Sequence, residues 1–199
     1  MNAPEPKVSL MNERTDEQLM SQFQQGDESA YALLVRRYKD ELTNFAFRFL
    51  GDWDEAEDVV QETFVRVFRK KSSFKDIAKF STWVYTIASN LAKSGLRRMA
   101  IRRFVRLGAR GEEGPEFDLP DTDARTDETA EQAMREQRIQ EALGKLPADF
   151  RQVVILRDIQ DLSYDEIVEI TGEVMGTVKS RINRGRALLR DLVRDLIRD

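Results

Sequence analysis

The sequence predicts an all-α protein of two small helical domains joined by an acidic, flexible linker. Apolar residues recur every three or four positions through most of the 199 residues, which is the period of an amphipathic helix. Charged residues make up 34% of the chain and only five residues are proline, as is typical of helix-rich proteins. The stretch 108–126 contains Gly, Pro, Asp and Glu without any such period, and therefore separates two helical parts.

The first domain is predicted over 15–107, after a loose tail over 1–14. Thr15 and Gln18 have the spacing of a capping box and open a first helix that ends near Gln25. A second helix follows over about 28–50, and a third begins after Gly51-Asp52 and extends to about 69. The apolar stripe of the third helix consists of Trp53, Ala56, Val59, Val60, Thr63, Phe64, Val67 and Phe68. A fourth helix, over about 81–106, is expected to bury Trp83, Ile87, Leu91 and Leu96.

The second domain is predicted over 128–199, after a linker over 108–127. Helices from about 127 to 143 and from about 149 to 157 precede a helix-turn-helix. Ser163 and Glu166 have the spacing of another capping box, and Gly172 can adopt the left-handed conformation that ends a helix. Thr177 is expected to cap or begin the next helix. That helix should direct its apolar residues inward, namely Val178, Ile182 and Leu189.

The second helix of this unit is strongly basic although the chain carries a net charge of −4. Its cations are Lys179, Arg181, Arg184, Arg186 and Arg190. A helix-turn-helix places its second helix in the DNA major groove, which gives these cations a use. The alternative is an ordinary helical hairpin with a solvated basic face.

The third helix carries polar side chains opposite its apolar stripe. These are Asp54, Glu57, Asp58, Gln61 and Glu62. Acids in the first turn of a helix complement its dipole and need no partner. Gln61 and Glu62 lie too far along the helix for that explanation, which favours a docking surface for a basic partner helix.

The fourth helix has the opposite charge, because residues 93–110 hold seven basic residues and no acid. Asn90, Lys93, Ser94, Arg97 and Arg98 follow one face, and four aromatic residues lie at or before its start, namely Phe74, Phe80, Trp83 and Tyr85. Cations bind phosphates and aromatic rings stack on bases, so this pattern suits a single strand or a duplex being opened. Trp83 fits a core position equally well.

Other classes of function are excluded by composition. The chain has no Cys and no His, which removes disulfides, Cys/His zinc sites, thiol nucleophiles and Ser-His-Asp triads. With no Gly-rich phosphate loop either, a nuclease or ligase is not favoured, and we expect no catalytic residue, cofactor or metal. The first ten residues do not resemble a signal peptide, and no apolar run is long enough to span a membrane, so we expect a cytoplasmic protein without membrane insertion.

Several motifs together resemble the extracytoplasmic-function (ECF) sigma factors, the minimal two-domain class of the sigma-70 family. The sharpest likeness is over 54–64, which resembles the polymerase-binding helix of region 2. Residues 26–34 resemble the opening helices of that region and 80–90 its −10 segment. Residues 162–167 and 176–182 resemble the −35 helix-turn-helix of region 4. Four motifs in the right order are far more specific than any one of them.

The resemblance implies a role for each surface. The acidic face (Asp54, Glu57, Asp58, Gln61 and Glu62) would bind the coiled coil of the largest subunit of core RNA polymerase. The −10 element of promoter DNA would be held by Trp83, Asn90, Lys93, Arg97 and Arg98. The −35 element would be contacted by Thr177, Lys179, Ser180, Arg181, Asn183, Arg184 and Arg186. The second domain would rest on the flap of the second-largest subunit, and the linker would pass through the polymerase interior. An anti-sigma factor would compete for the polymerase-binding surfaces.

The sequence departs from the family pattern around the helix-turn-helix. Val168 stands where Ala is common, Glu173 brings a carboxylate near the DNA, and Asn183 replaces a residue that is often aromatic or His. These departures concern the promoter sequence that is read. The competing hypothesis is a stand-alone helix-turn-helix regulator that binds an operator as a dimer, which would explain the second domain but not the acidic and basic helices of the first.

Overall fold

The computed structural model describes residues 14–75, 79–107 and 127–198, and in these ranges the chain forms helices joined by short turns, without a β-strand. The predicted tail lies outside the described residues up to position 13, and the predicted linker lies outside them over 108–126. The all-α prediction is confirmed.

The first half contains four α-helices close to the predicted bounds. They are α1 (Asp16–Gln24), α2 (Glu28–Leu50), α3 (Trp53–Arg69) and α4 (Phe80–Leu107), with a 3-10 turn at Lys71–Ser73. Thr15 forms the predicted capping box with Gln18. Asp27 and Asp52 accept hydrogen bonds from backbone N–H groups at the starts of α2 and α3, so a side chain fixes the start of each of the first three helices.

The second half contains α5 (Asp127–Lys145), α6 (Ala148–Val154), α7 (Tyr164–Thr171) and α8 (Met175–Arg198). A π-helical turn over Ile155–Ile159 continues α6. The predicted capping box of Ser163 and Glu166 and the left-handed Gly172 are both present. The prediction that α8 begins near Thr177 was wrong by two residues. The carbonyl of Val174 already accepts a helical hydrogen bond from the N–H of Val178 at 3.1 Å, so the turn is shorter than expected.

The buried side chains of both halves form one continuous core. Two predictions about α3 need correction, since Trp53 and Phe68 are 37% and 43% exposed rather than buried. On α4, Leu91 is buried as predicted, but Trp83, Ile87 and Leu96 are only partly buried. The fully buried side chains of α4 include Val84, Tyr85, Ala88 and Ala92. The buried surface is displaced because α4 packs against α7 as well as against α2 and α3.

Polar contacts join the two halves at the C-terminal end of α2. The guanidinium of Arg151 donates to the carbonyl of Phe49 at 2.6 Å and to two carbonyls of its own half. The amide of Gln140 donates to the carbonyls of Phe47 and Arg48, both at 3.3 Å. The carbonyls of Arg48 and Phe49 belong to the last turn of α2, where the helix supplies no N–H partner, whereas the Phe47 carbonyl also accepts from the N–H of Gly51 at 2.8 Å. The second half therefore caps a helix of the first.

Candidate nucleic-acid and protein interfaces

The acidic face predicted on α3 is exposed, and its reverse side is core. Asp54, Glu57, Asp58 and Gln61 are exposed, whereas Ala56, Val59, Val60, Thr63, Phe64 and Val67 are buried. Among the ion pairs between described residues, none involves Asp54, Glu57 or Asp58. Glu62 differs from the other four, because it is half-buried and accepts a hydrogen bond from Arg66 of the same helix at 2.8 Å. The carboxylates of the other three are thus open to a partner.

The same face continues into apolar residues that the sequence pattern did not assign to it. Val65 and Phe68 follow Gln61 at helical spacing and are 39% and 43% exposed. The Phe68 ring lies 5.4 Å from the rings of both Phe23 and Tyr31, so it is fixed in place although it is exposed. The face is therefore acidic at its N-terminal end and apolar at its C-terminal end, as expected of a protein interface.

Glu55 links the acidic helix α3 to the basic helix α4. Its carboxylate forms ion pairs with Arg102 and, at 4.0 Å, with Arg98, and its side chain is only 12% exposed. The pairing with Glu55 raises the pKa of Arg102. Arg98, predicted to contact the −10 element, is therefore directed at least partly toward α3.

The other predicted −10 residues share one face of α4. Lys93 follows Asn90 by three residues and Arg97 follows Lys93 by four, which is helical spacing. Asn90 and Arg97 are exposed. Ser94 connects them, because its hydroxyl donates to the Asn90 carbonyl at 2.9 Å and accepts from Arg97 at 3.2 Å. Tyr85, about a third of a turn around the helix from this face, donates to Gln160 of the second half at 2.7 Å. This contact with the second half therefore lies beside the Asn90–Arg97 face rather than on it.

Trp83 lies seven residues before Asn90, on the same face, but within an aromatic cluster. Its ring is 5.3 Å from Phe74 and 6.1 Å from Phe80. Both of these residues are buried, while Trp83 itself is partly buried. The indole is thus partly packed in the core and partly borders the polar face. This position accommodates both roles that the sequence left open for Trp83, namely core packing and contact with a base.

The predicted −35 residues surround the exposed side of α8. Val178, Ile182 and Gly185 are buried against the rest of the domain. Ser180, Asn183 and Arg184 are placed by helical spacing on the side directly opposite them. Asn183 and Arg184 are exposed, and no ion pair between described residues includes Arg184. A shallow depression on this part of α8 is lined by Phe150, Gly176, Thr177, Ser180, Arg181 and Arg184.

Acidic residues on other elements hold the two arginines at the flanks of α8. On one flank, Arg181 binds Glu173 at 2.9 Å and lies 3.8 Å from Asp149. On the other, the guanidinium of Arg186 forms a bidentate pair with Asp158 of the π turn, which raises the pKa of Arg186. Lys179, on that second flank, lies over the ring of Tyr164 at 5.8 Å. The sequence pattern indicates the basic residues but not these partners.

Comparison with known proteins identifies the family. Residues 34–101 match Sigma-70 region 2 and residues 136–189 match Sigma-70 region 4. The chain is 38% identical over 173 residues to the ECF RNA polymerase sigma factor SigW of Bacillus subtilis, which covers 86% of this chain and 92% of that protein. It is 33% identical over 184 residues to the ECF RNA polymerase sigma-E factor of Haemophilus influenzae, covering 90% and 96%.

This chain belongs to the ECF sigma factors.

Two solved structures of sigma factors resemble this one. CnrH, in complex with the cytosolic domain of CnrY, is 26% identical with a TM-score of 0.69, and the match covers 92% of this chain and 99% of that one. The sigma factor RpoE of Bartonella quintana, in complex with the anti-sigma factor NepR, is 27% identical with a TM-score of 0.65, covering 82% and 96%.

The family match decides between the two hypotheses left open by the sequence. The region 2 match extends from within α2 to within α4, so it covers α3 and the Asn90–Arg97 face that a stand-alone regulator would not need. The sigma factor therefore directs promoter recognition by RNA polymerase. Within its described residues, no helix combines the length and the apolar character needed to cross a bilayer.

Proposed function

We propose that the α3 face is the surface through which this sigma factor binds core RNA polymerase, at the coiled coil of the largest subunit. Support comes from the exposure of Asp54, Glu57 and Asp58 on a helix whose reverse side is core. Unpaired carboxylates suit a basic partner helix and steer its approach. Val65 and Phe68 supply apolar contact area at the end of the face, where desolvation strengthens binding.

The −10 element is held, in this proposal, by the polar face of α4. Asn90 is placed to hydrogen-bond a base edge, and Lys93 and Arg97 to bind phosphates. Trp83 borders this face and offers an aromatic surface to a displaced base. Flipping a base costs a few kcal/mol and stacking returns about 1–3 kcal/mol per base. A small number of captured bases therefore balances the opening of the duplex, without catalysis by the sigma factor itself.

The −35 element is contacted by α8 in the major groove. Ser180, Asn183 and Arg184 form the outermost line of the helix, with Thr177 and Arg181 on one flank and Lys179 and Arg186 on the other. The N-terminal residues of a recognition helix contact base edges, so Thr177, Ser180 and Arg181 are the residues nearest the bases. Arg184 and the later cations are nearest the phosphates. The second domain also rests on the flap of the second-largest subunit.

The acidic segment 108–126 threads, in this proposal, through the polymerase interior. Residues 112–131 hold nine acids and one base, a charge that matches the polyanion RNA and repels DNA. Promoter affinity is then low in the free sigma factor and high in the holoenzyme.

An anti-sigma factor is the expected regulator. The two similar solved structures are complexes of CnrH with the cytosolic domain of CnrY and of RpoE with the anti-sigma factor NepR. A regulator of this sigma factor would act in the cytoplasm, with RNA polymerase, and would cover the acidic and apolar face of α3.

Reversal of one charge on α3 tests the central assignment. Asp58→Arg places a cation in the acidic face and should weaken binding to core polymerase at least tenfold, because a repulsive contact costs about 1.4 kcal/mol or more at an interface. The measurement is a titration of core polymerase with labelled sigma factor, together with circular dichroism to verify the fold. Run-off transcription from a promoter library should decline in parallel.

Asp40→Arg is the matched control, because Asp40 is an exposed acid of the same domain on α2. It changes the net charge equally and should bind core polymerase as the unmodified protein does. Equal affinity of both variants for core polymerase would show that α3 is not the polymerase-binding surface.

A further inference from the structure

The turn of the helix-turn-helix places Glu173 beside the start of α8. Gly172 has φ of 71°, a left-handed conformation that turns the chain sharply after α7. The next backbone N–H, that of Glu173, donates to the hydroxyl of Thr171 at 3.4 Å, and this hydroxyl itself donates to the Ile167 carbonyl at 2.6 Å. The backbone of Glu173 is thus tied to α7 while its side chain extends along α8.

The Glu173 carboxylate reaches one full turn and more along α8 to Arg181. Nη1 of Arg181 donates to Oε1 of Glu173 at 2.9 Å, and Nη2 lies 3.8 Å from Oδ2 of Asp149 on α6. Arg181 and Glu173 are 26% and 37% exposed, so this pair is less screened than one on an open surface. Two carboxylates around one guanidinium give the group a net charge of −1.

This charge has different consequences for phosphates and for bases. Contacts to phosphates depend on neutralisation of the DNA charge, and a guanidinium already neutralised by carboxylates contributes little to them. The carboxylates in addition repel phosphates of every sequence equally. A guanidinium has five N–H donors, however, and those not used by Glu173 can still donate to the O6 and N7 acceptors of guanine.

Arg184 provides the contrast within the same helix. It lies one turn after Arg181, is exposed, and has no ion pair among the described residues. Its flexible side chain can follow any nearby phosphate. The two arginines therefore differ in freedom although they share a face of α8.

We infer that Glu173 is a specificity-determining residue for promoter recognition, which positions Arg181 for base contacts and withholds it from the phosphates. Glu173 itself acts through Arg181. The inference rests on the proposed contact of α8 with the −35 element and adds the device that makes this contact selective.

The test uses the holoenzyme, formed from core polymerase and the full-length sigma factor. A promoter library with a randomised −35 segment first identifies the sequences preferred by the unmodified protein. Binding is then measured over a range of salt concentrations for Glu173→Gln, Arg181→Ala and the double variant. Glu169→Gln is the matched control, since it removes one exposed carboxylate from the neighbouring helix α7 without touching Arg181.

Glu173→Gln should release Arg181 to the phosphates. The logarithmic salt dependence should steepen by about 0.9, the value of one additional phosphate contact. Discrimination at one or two −35 base pairs should fall about fivefold or more, the equivalent of one lost arginine–base contact. In the Arg181→Ala background the same substitution should leave the discrimination unchanged and alter only the sequence-independent affinity, which a merely structural role of Glu173 would not predict.

Two results would overturn the inference: equal behaviour of Glu173→Gln and Glu169→Gln, or an undiminished effect of Glu173→Gln when Arg181 is absent. Arg184→Ala distinguishes a failed role of Glu173 from a failure of the proposed −35 surface as a whole. If Arg184→Ala weakens promoter binding while Glu173→Gln has no effect, only the role of Glu173 is wrong. If neither arginine matters for the −35 segment, the surface and the inference fail together.

Discussion

Gly185 sets the distance between the recognition helix α8 and the helix α6 that supports it. A Cβ atom at this position would lie 2.7 Å from Cγ2 of Val154 and 3.4 Å from the Phe150 carbonyl oxygen. Val154 is buried and β-branched, so its side chain has little freedom to move aside. The absence of a side chain at Gly185 therefore lets the two helices meet.

Gly185→Ala should destabilise the protein by about 1–2 kcal/mol, since overpacking of a core costs about 1–3 kcal/mol and the higher helix propensity of Ala returns part of it. Gly176→Ala, on the same helix, is the control. Apart from the neighbouring backbone of α8, no atom of the described residues lies within 4 Å of its added Cβ, so its effect should be neutral or stabilising by up to ~1 kcal/mol. Urea unfolding of both variants measures the difference, and equal stability would contradict the packing argument.

At this scale, the sequence predicted which side chains are available but not what they contact. The exposure of Asp54, Glu57 and Asp58 followed from their position opposite an apolar stripe. The sequence placed the Glu173 carboxylate near the DNA-facing helix, but the contacts of Asp149 with Arg181 and of Asp158 with Arg186 could not be predicted, because these two acids belong to α6 and the π turn after it. Their proximity to α8 results from tertiary packing, for which the sequence pattern has no signal.

The short helix α7 depends on one glutamate for two purposes. Glu166 completes the capping box with Ser163 and also forms an ion pair at 2.9 Å with Lys79 of the first half. Burial raises the pKa of Glu166, but the hydrogen bonds from Lys79 and Ser163 outweigh this effect, so the pKa is lowered from its usual value of 4.5. The ionised form therefore stabilises the folded protein.

The sign of the pKa shift gives the pH dependence. Because its pKa is lower in the folded state, the ionised Glu166 stabilises the fold at pH values above the unfolded-state pKa of about 4.5. This contribution is lost as the pH falls through the folded-state pKa. Glu166→Gln retains the capping geometry but not the charge. It should lower the free energy of unfolding by about 0.5–1 kcal/mol at pH 7 and by less at pH 3, which lies below the unfolded-state pKa. Unfolding in urea at both values measures this, and a constant difference would contradict it.

Local signals predicted most of the helical elements, and tertiary packing explains the exceptions. The side chains of Thr15, Asp27, Asp52 and Ser163 fix helix starts by bonds within three residues, which a sequence pattern captures. The extra residue in the π turn after α6 has no comparable local signal. Neither does the packing of α7 on α4, which shifted the buried side of α4 from the predicted stripe.

The two halves, held together as they are, do not reach across both promoter elements. The long helix α4 has 28 residues and is therefore only about 42 Å long. DNA elements centred at −10 and −35 are separated by about 85 Å of duplex at 3.4 Å per base pair. We expect the two halves to separate when both elements are engaged, with loss of the bonds from Arg151 and Gln140 to α2.

Gln140→Leu should favour the separated state. Gln140 is buried, and its three side-chain hydrogen bonds within the described residues are made with α2, so the substitution removes contacts between the halves while retaining the side-chain volume. The loss of two neutral hydrogen bonds and of a long one from the guanidinium of Arg48 weakens the contact by about 1–3 kcal/mol. Small-angle scattering should show a larger radius of gyration, with an unchanged helical signal by circular dichroism.

Gln137→Leu on the same helix is the control. This residue is exposed, and in the part of the chain that the structure describes its side chain bonds only to Glu141 of α5, so its replacement should leave the scattering curve unchanged. Identical scattering from both variants would mean that the amide of Gln140 does not hold the halves together.

In the proposed contact of α8 with the −35 element, the π turn over Ile155–Ile159 gives promoter preference a second route of variation. It accommodates one residue more than an α-helical turn, and Asp158 lies within it. Deletion of a single residue there would rotate the remainder of the turn by about 100° around the helix axis and carry the carboxylate away from Arg186. Two relatives with identical recognition helices could then read different promoters, because the length of a supporting segment, rather than any residue facing the DNA, had changed.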